Sequence, residues 1–144
     1  MKTFTLEEAN ALLPVVESLL DQAIAAKEEA ERLEGEIQSL RQRIFLSGGM
    51  TIDIANVAHN RTETEAQVQR AKGSLTEIDS IGVQIKDLET GLLDFPCRVE
   101  GELVLLCWRR GERRIEYWHT LEAGFRGRQP LDERFGRGWR DRPN

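Results

Sequence analysis

Residues 6–46 read LEEANALLPVVESLLDQAIAAKEEAERLEGEIQSLRQRIFL. Within them Ala9, Leu12, Val16, Leu19, Ala23, Ala26, Ala30, Leu33, Ile37, Leu40 and Ile44 follow one another at alternating steps of three and four. A spacing averaging about 3.5 residues is the period of a left-handed coiled coil, because it keeps one apolar stripe turned towards a partner helix. The stripe predicts a single helix over Leu6–Leu46, roughly 60 Å long at 1.5 Å per residue. Thr5 followed by Glu8 is a capping box that starts it. Pro14 removes one hydrogen bond and is expected to kink it. Ser47-Gly48-Gly49 ends it, since glycine takes the left-handed cap conformation.

A second helix is expected to begin near Thr51 or Asp53, either of which can cap it. Val57, Arg61, Thr64, Val68, Ala71, Leu75 and Ile78 keep the alternating steps, and Ile81, Ile85, Leu88 and Leu92 continue them with a shifted phase. Gly73 and Gly82 weaken this helix, by up to about 1 kcal/mol each, and Phe95-Pro96 is read as its end. A short link between two long helices makes an antiparallel hairpin, here residues 1–95. A lone hairpin leaves Leu13, Leu20 and Ile24 uncovered, so a homodimeric four-helix bundle is expected.

After Pro96 the period changes to two. Arg98-Val99, Leu103–Trp108 and Ile115–His119 read as three strands, with turns at Glu100-Gly101 and at Arg109–Glu112. They form a head over residues 96–130, packed on helix ends because so small a sheet is not stable alone. Residues 131–144, rich in Gly, Arg and Asp, read as a mobile tail. The fold class is α+β, mostly α: a long antiparallel coiled-coil helical hairpin followed by a small three-stranded antiparallel β meander.

Composition agrees. Charged residues make up 31% of the 144 and hydrophobic ones 40%, as for a helix with a narrow apolar stripe and a wide solvated face. No apolar run is long enough to span a bilayer. The opening Met1-Lys2-Thr3-Phe4 lacks the apolar stretch of a secretion signal, so a cytoplasmic protein is expected. The net charge of −5 divides into −8 over residues 1–96 and +3 over residues 97–144. An acidic stalk and a basic end can attract each other or draw an anionic partner. Cys97 and Cys107 are too few for a disulfide framework and read as small apolar fillers.

Asp87-Leu88-Glu89-Thr90-Gly91-Leu92-Leu93-Asp94-Phe95-Pro96, Leu106-Cys107-Trp108-Arg109 with Gly111-Glu112, Tyr117-Trp118-His119 and Gly124-Phe125-Arg126-Gly127-Arg128 resemble an uncharacterised bacterial family, domain of unknown function 2203. Leu6-Glu7-Glu8-Ala9-Asn10-Ala11-Leu12-Leu13-Pro14 is similar to that family's opening. The resemblance spans most of the chain and implies a fold, with no activity, cofactor or substrate attached.

His119 leads the candidate chemistry. With a two- or four-residue turn before the third strand, Trp108 pairs with Arg113 and Glu102 pairs with His119, and a carboxylate opposite an imidazole can hold a metal or tune a general base. With a three-residue turn His119 faces Leu103 instead, and the sequence leaves the register open. The bland alternative is a strand-end histidine bonded to backbone. Cys107 and His119 could form a nucleophile and base, but a thiol inside an apolar strand is inert. Asp94 is read as bonding the backbone ahead of Pro96, and Glu112 as finishing a turn. Trp108, Tyr117 and Trp118 read as core.

The second candidate is an arginine–aromatic surface, with Arg109, Glu112, His119, Phe125, Arg126 and Arg128 as its residues. Rings interleaved with guanidinium groups can stack bases and track phosphates. Asp132, Glu133 and Asp141 dilute that charge, which favours arginines paired with carboxylates and rings of the chain itself. The expectation is a non-enzymatic scaffold that self-associates and docks a protein partner, with no cofactor. A nucleic-acid-binding protein and a small metal- or ligand-binding enzyme centred on His119 are the alternatives.

Overall fold

In a computed structural model, which describes residues 2–46, 48, 54–136 and 139, the capping box forms as its residues predict. Thr5 N–H donates to Glu8 Oε1 at 2.9 Å, and Glu8 N–H donates to Thr5 Oγ1 at 3.1 Å. Helix α1 follows, spanning Leu6–Leu46 and running through Pro14. Gly48 has φ +72° and donates to Phe45 O, as a glycine beyond a helix end should. Ser47, Gly49, Thr51 and Asp53 lie outside the described residues. Helix α2 spans Ile54–Ile81.

The chain folds as two compact units, residues 21–75 and residues 1–20 with 76–144. In the first unit the predicted stripe is buried from Ala23 to Ile37, at Ala23, Ala26, Ala30, Leu33 and Ile37. Leu40 and Ile44 are half-buried, and Phe45 and Leu46 stand 84% and 77% exposed. On α2 the facing positions Val57, Thr64, Val68 and Ala71 are half-buried and Arg61 is exposed. A cleft of about 230 Å³ lies between Ile37 and Arg41 of α1 and Arg61 and Thr64 of α2, so the helices run side by side there. The outer face of α1 carries ion pairs at helical spacing, Arg32 with Glu29 and Glu36, and Lys27 with Glu31.

The flank expected to need a second chain is covered in one. Leu13, Leu20 and Ile24 are 5%, 0% and 7% exposed, whereas Leu12 and Leu19 of the predicted stripe are half-buried. In the second unit α1 has a sheet to cover, and a sheet is a wider surface than one helix. Its buried side is correspondingly broader than a coiled-coil seam: Leu6, Ala9, Leu13, Val16 and Leu20.

The second helix stops ten residues and more before the expected end. Gly82, with φ +106°, donates to Asp79 O at 3.0 Å, and Val83 N–H reaches back to Ile78 O at 3.4 Å. This is a Schellman cap, completed by the buried pair Ile78 and Val83. Gly82 thus ends a helix instead of weakening one. The chain continues as strand β1, Gln84–Asp87, and the expected boundary at residue 95 falls inside a strand.

The sheet has five antiparallel strands in chain order, not three: β1, then β2 (Leu92–Val99), β3 (Glu102–Arg109), β4 (Tyr117–His119) and β5 (Gln129–Pro130). Asp87 turns the chain from β1 to β2 by accepting from Glu89 N–H and Thr90 Oγ1. Pro96, read as a helix end, sits within β2. Its carbonyl accepts from Phe4 N–H at 2.7 Å, on the side β1 does not reach, so no ladder bond needs its missing N–H. Glu100 and Gly101, both with positive φ, make the expected two-residue turn between Val99 and Glu102. Of the residues expected to form a mobile tail, Leu131 is buried, and a 3₁₀ turn at Glu133–Phe135 buries Phe135 against Trp118. Residues 137, 138 and 140–144 lie outside the described ones.

The beginning of α1 closes this unit. The Phe4 ring meets Phe95 edge-on at 5.8 Å, and Asn10 Oδ1 accepts from Ile115 N–H at 3.0 Å. Phe95, Leu93, Leu106 and Trp108 are fully buried beside them. No described helix is long and apolar enough to cross a membrane.

Candidate functional site

Successive residues of a strand point to opposite faces, so register decides which side chains meet. Asp94 of β2 lies directly opposite Cys107 of β3, and His119 of β4 lies opposite Leu105, two residues from Cys107 on the same face. Three donor-bearing side chains from adjacent strands therefore converge. Both expected registers for His119 are replaced. Glu102 pairs with Val99 and is exposed, and Leu103 pairs with Arg98. The link from Arg110 to Glu116 is irregular and longer than a hairpin turn, which carries His119 past Glu102 and Leu103 to Leu105 and leaves Arg113 unpaired with Trp108. Glu102 is no part of a metal site with His119.

Asp94, Cys107 and His119 are 1%, 0% and 3% exposed. His119 Nε2 lies 3.1 Å from Asp94 Oδ1, and His119 Nδ1 lies 2.7 Å from Thr120 O. A carbonyl only accepts, so Nδ1 carries a proton and donates to Thr120. The Nε2–Asp94 contact then needs one further proton, held as an imidazolium–carboxylate pair or as a carboxylic acid donating to neutral imidazole. Burial pushes the Asp94 carboxyl above the ordinary carboxylate range, opposed by His119, by Lys86 and by the Cys107 thiol. Burial, then the Asp94 charge, pushes the Cys107 thiol up to about 11. A thiol so placed is a poor nucleophile. Asp94 is thus not a backbone cap, and His119 combines the expected bond to backbone with a carboxylate the sequence did not reveal.

Beside Cys107 stands a second cluster. Arg128 donates to Glu112 from Nη1 at 3.3 Å and from Nη2 at 2.8 Å, and Nη1 is also 4.0 Å from Cys107 Sγ. The guanidinium lies over the rings of Tyr117, at 4.0 Å, and Phe125, at 4.6 Å. Burial works against its charge, and Glu112 and Cys107 together outweigh that, so its pKa rises. Glu112 also finishes the turn as expected, accepting from Arg109 N–H at 2.7 Å, while its own carbonyl accepts from Trp108 Nε1. Of the predicted surface residues, Glu112, Phe125 and Arg128 come together with Tyr117. Arg109 and Arg126 are exposed, and His119 is interior. Arg134 pairs with Asp132 and lies over Trp118.

The oxygen, sulfur and nitrogen donors of Asp94, Cys107 and His119 all lie within 4.8 Å of one another, a group able to hold a metal ion. Asp94 escaped the sequence reading as a partner of His119 because it lies 25 residues away and is joined by strand pairing alone, and Cys107 was paired with His119 there only as a nucleophile.

No curated protein and no solved structure matches this chain. A family model described as uncharacterized conserved protein, DUF2203, matches residues 2–131, and the chain belongs to that family.

Proposed function

We propose that this protein is a non-enzymatic interaction module. Its two helices form an antiparallel coiled-coil hairpin that self-associates, and its sheet unit presents the Arg109, Phe125 and Arg126 surface to a protein partner. The observation that carries the reading is the pair Phe45 and Leu46, 84% and 77% exposed at the end of α1 beside the charged Arg41 and Arg43. Burying a large apolar side chain contributes about 1.5–3 kcal/mol, so two neighbours exposed on a charged helix favour association. The half-buried Val57 and Val68 of α2 offer a second copy further apolar surface.

Two further facts support it. The groups suited to acid–base or nucleophilic work, Asp94, Cys107 and His119, are buried where a dissolved reactant does not touch them. Arg128 and Arg134 are paired with carboxylates and stacked on rings within the chain, which disfavours a nucleic-acid partner. A cytoplasmic setting suits the free thiols Cys97 and Cys107.

Light scattering coupled to size exclusion, at micromolar concentration, tests the self-association. The wild type should run at twice the chain mass. The Phe45→Ser/Leu46→Ser variant should run as a monomer with unchanged helical circular dichroism. A monomeric wild type, or a variant that stays dimeric, overturns the proposal.

A further inference from the structure

We propose that Asp94, Cys107 and His119 bind one divalent transition-metal ion of the zinc class, which ties strands β2, β3 and β4 together. The reading is independent of self-association. The donors come one from each strand on a single face, and all three side chains are buried. One carboxylate oxygen, one thiol sulfur and one imidazole nitrogen form a mixed set. Such a set suits zinc and its neighbours and does not suit magnesium or calcium, which take oxygen.

The distances fit. Ligand atoms about 2.0–2.3 Å from a tetrahedral zinc lie roughly 3.3–3.6 Å from one another. His119 Nε2 and Asp94 Oδ1 are already 3.1 Å apart, and no pair in the triad exceeds 4.8 Å. The widest pair therefore needs to close by about 1 Å, a rotamer adjustment that leaves the strands in place. His119 is set for the task by its other nitrogen. Nδ1–H donates to Thr120 O at 2.7 Å, so Nε2 is the ring atom turned towards Asp94, and a metal takes the place of the proton between them. Metal-bound histidines are held by such a bond from the second nitrogen.

Charge agrees as well. A divalent ion is neutralised by the Asp94 carboxylate and the Cys107 thiolate, so the buried centre has no net charge. Arg128, whose Nη1 is 4.0 Å from Cys107 Sγ, is already compensated by Glu112 at 2.8 Å. Lys86, which acts on Asp94, is exposed.

Cobalt(II) is the probe, added to full-length protein stripped with a chelator. One equivalent should bind per chain, with a thiolate-to-cobalt charge-transfer band and the visible spectrum of a four-coordinate ion. Zinc should displace it and abolish the band. Cys97→Ser should keep the band, leaving Cys107 as its source. Cys107→Ser and His119→Gln should lower cobalt affinity at least about 100-fold with the far-ultraviolet circular dichroism unchanged. Absence of the band in wild type overturns the proposal, as does its loss in Cys97→Ser. Both readouts stand even where a triad variant does not fold.

Discussion

Replacing His119 with leucine removes the imidazole that faces Asp94 and leaves a carboxyl group 1% exposed among apolar neighbours. Removing one partner of a buried, hydrogen-bonded pair costs about 3–5 kcal/mol. For a chain of this length each kcal/mol moves the melting midpoint by roughly 2–4 °C, so His119→Leu should melt about 6–20 °C below wild type at neutral pH in metal-free buffer. The loss should depend on pH with a definite sign. With the imidazole gone, burial is opposed only by Lys86 and the Cys107 thiol, so the Asp94 pKa in the folded state stands further above its unfolded value of about 3.9. Such a group contributes stability that is complete below the unfolded pKa and is lost as pH rises through the folded one. The deficit should therefore be small near pH 4 and grow towards pH 8, read by urea denaturation at a series of pH values. The double variant Asp94→Leu/His119→Leu, with both polar groups replaced, should recover at least half of the loss at pH 8. A deficit independent of pH, or a double variant whose losses simply add, would refute the account of this pair.

Three other outcomes follow from the geometry. Gly91 has φ +70°, and a Cβ there would lie 2.5 Å from Arg110 Cβ, so Gly91→Ala should lower stability by about 1–3 kcal/mol in urea denaturation. The Cys107 thiol, buried and pushed up to about 11, should resist a disulfide reagent at pH 8 in the native protein and react at once in denaturant; rapid labelling of the native protein would contradict that placement. Arg128→Lys should cost about 1–2 kcal/mol in thermal melts, because an ammonium cannot both fork onto Glu112 and lie flat on Tyr117 and Phe125. An unchanged midpoint would mean that the fork contributes nothing beyond its charge.

The sequence alone carried some elements to within a residue and missed others for physical reasons. The bounds of α1 were legible because Thr5, Glu8 and the apolar stripe are local signals. So was the Glu100-Gly101 turn. Only Arg98 and Val99 of strand β2 were legible, because the part of it buried on both faces has no alternation to read. Leu92 to Cys97 is nearly continuous in its burial, and Ile81, Ile85, Leu88 and Leu92 happen to keep helical steps. Gly82 and Gly91 were the punctuation that should have divided them. The pairing of His119 was beyond reach, since it rests on an irregular seven-residue link whose path is set by Ile115 docking on Asn10. The burial of Leu131 and Phe135 was hidden by the polar company they keep.

The sheet unit is assembled from the two ends of a long stretch of chain, residues 1–20 and 76–144, with 55 residues between them. On the ribosome this order has a cost in time. Phe4 and Leu6 emerge early relative to their partners: the strand carrying Phe95 comes some 90 residues later and Leu131 later still. At roughly 5–20 residues per second the apolar start of α1 waits several seconds for the surface that covers it. The helical segment 21–75 has all of its own partners by then and can form during that wait. Its length is nearly free to the sheet unit, since halving the segment that joins the two parts changes the closure entropy by only about 0.6 kcal/mol. Heptads could therefore be added to or removed from the helices during evolution while Phe4 still finds Phe95.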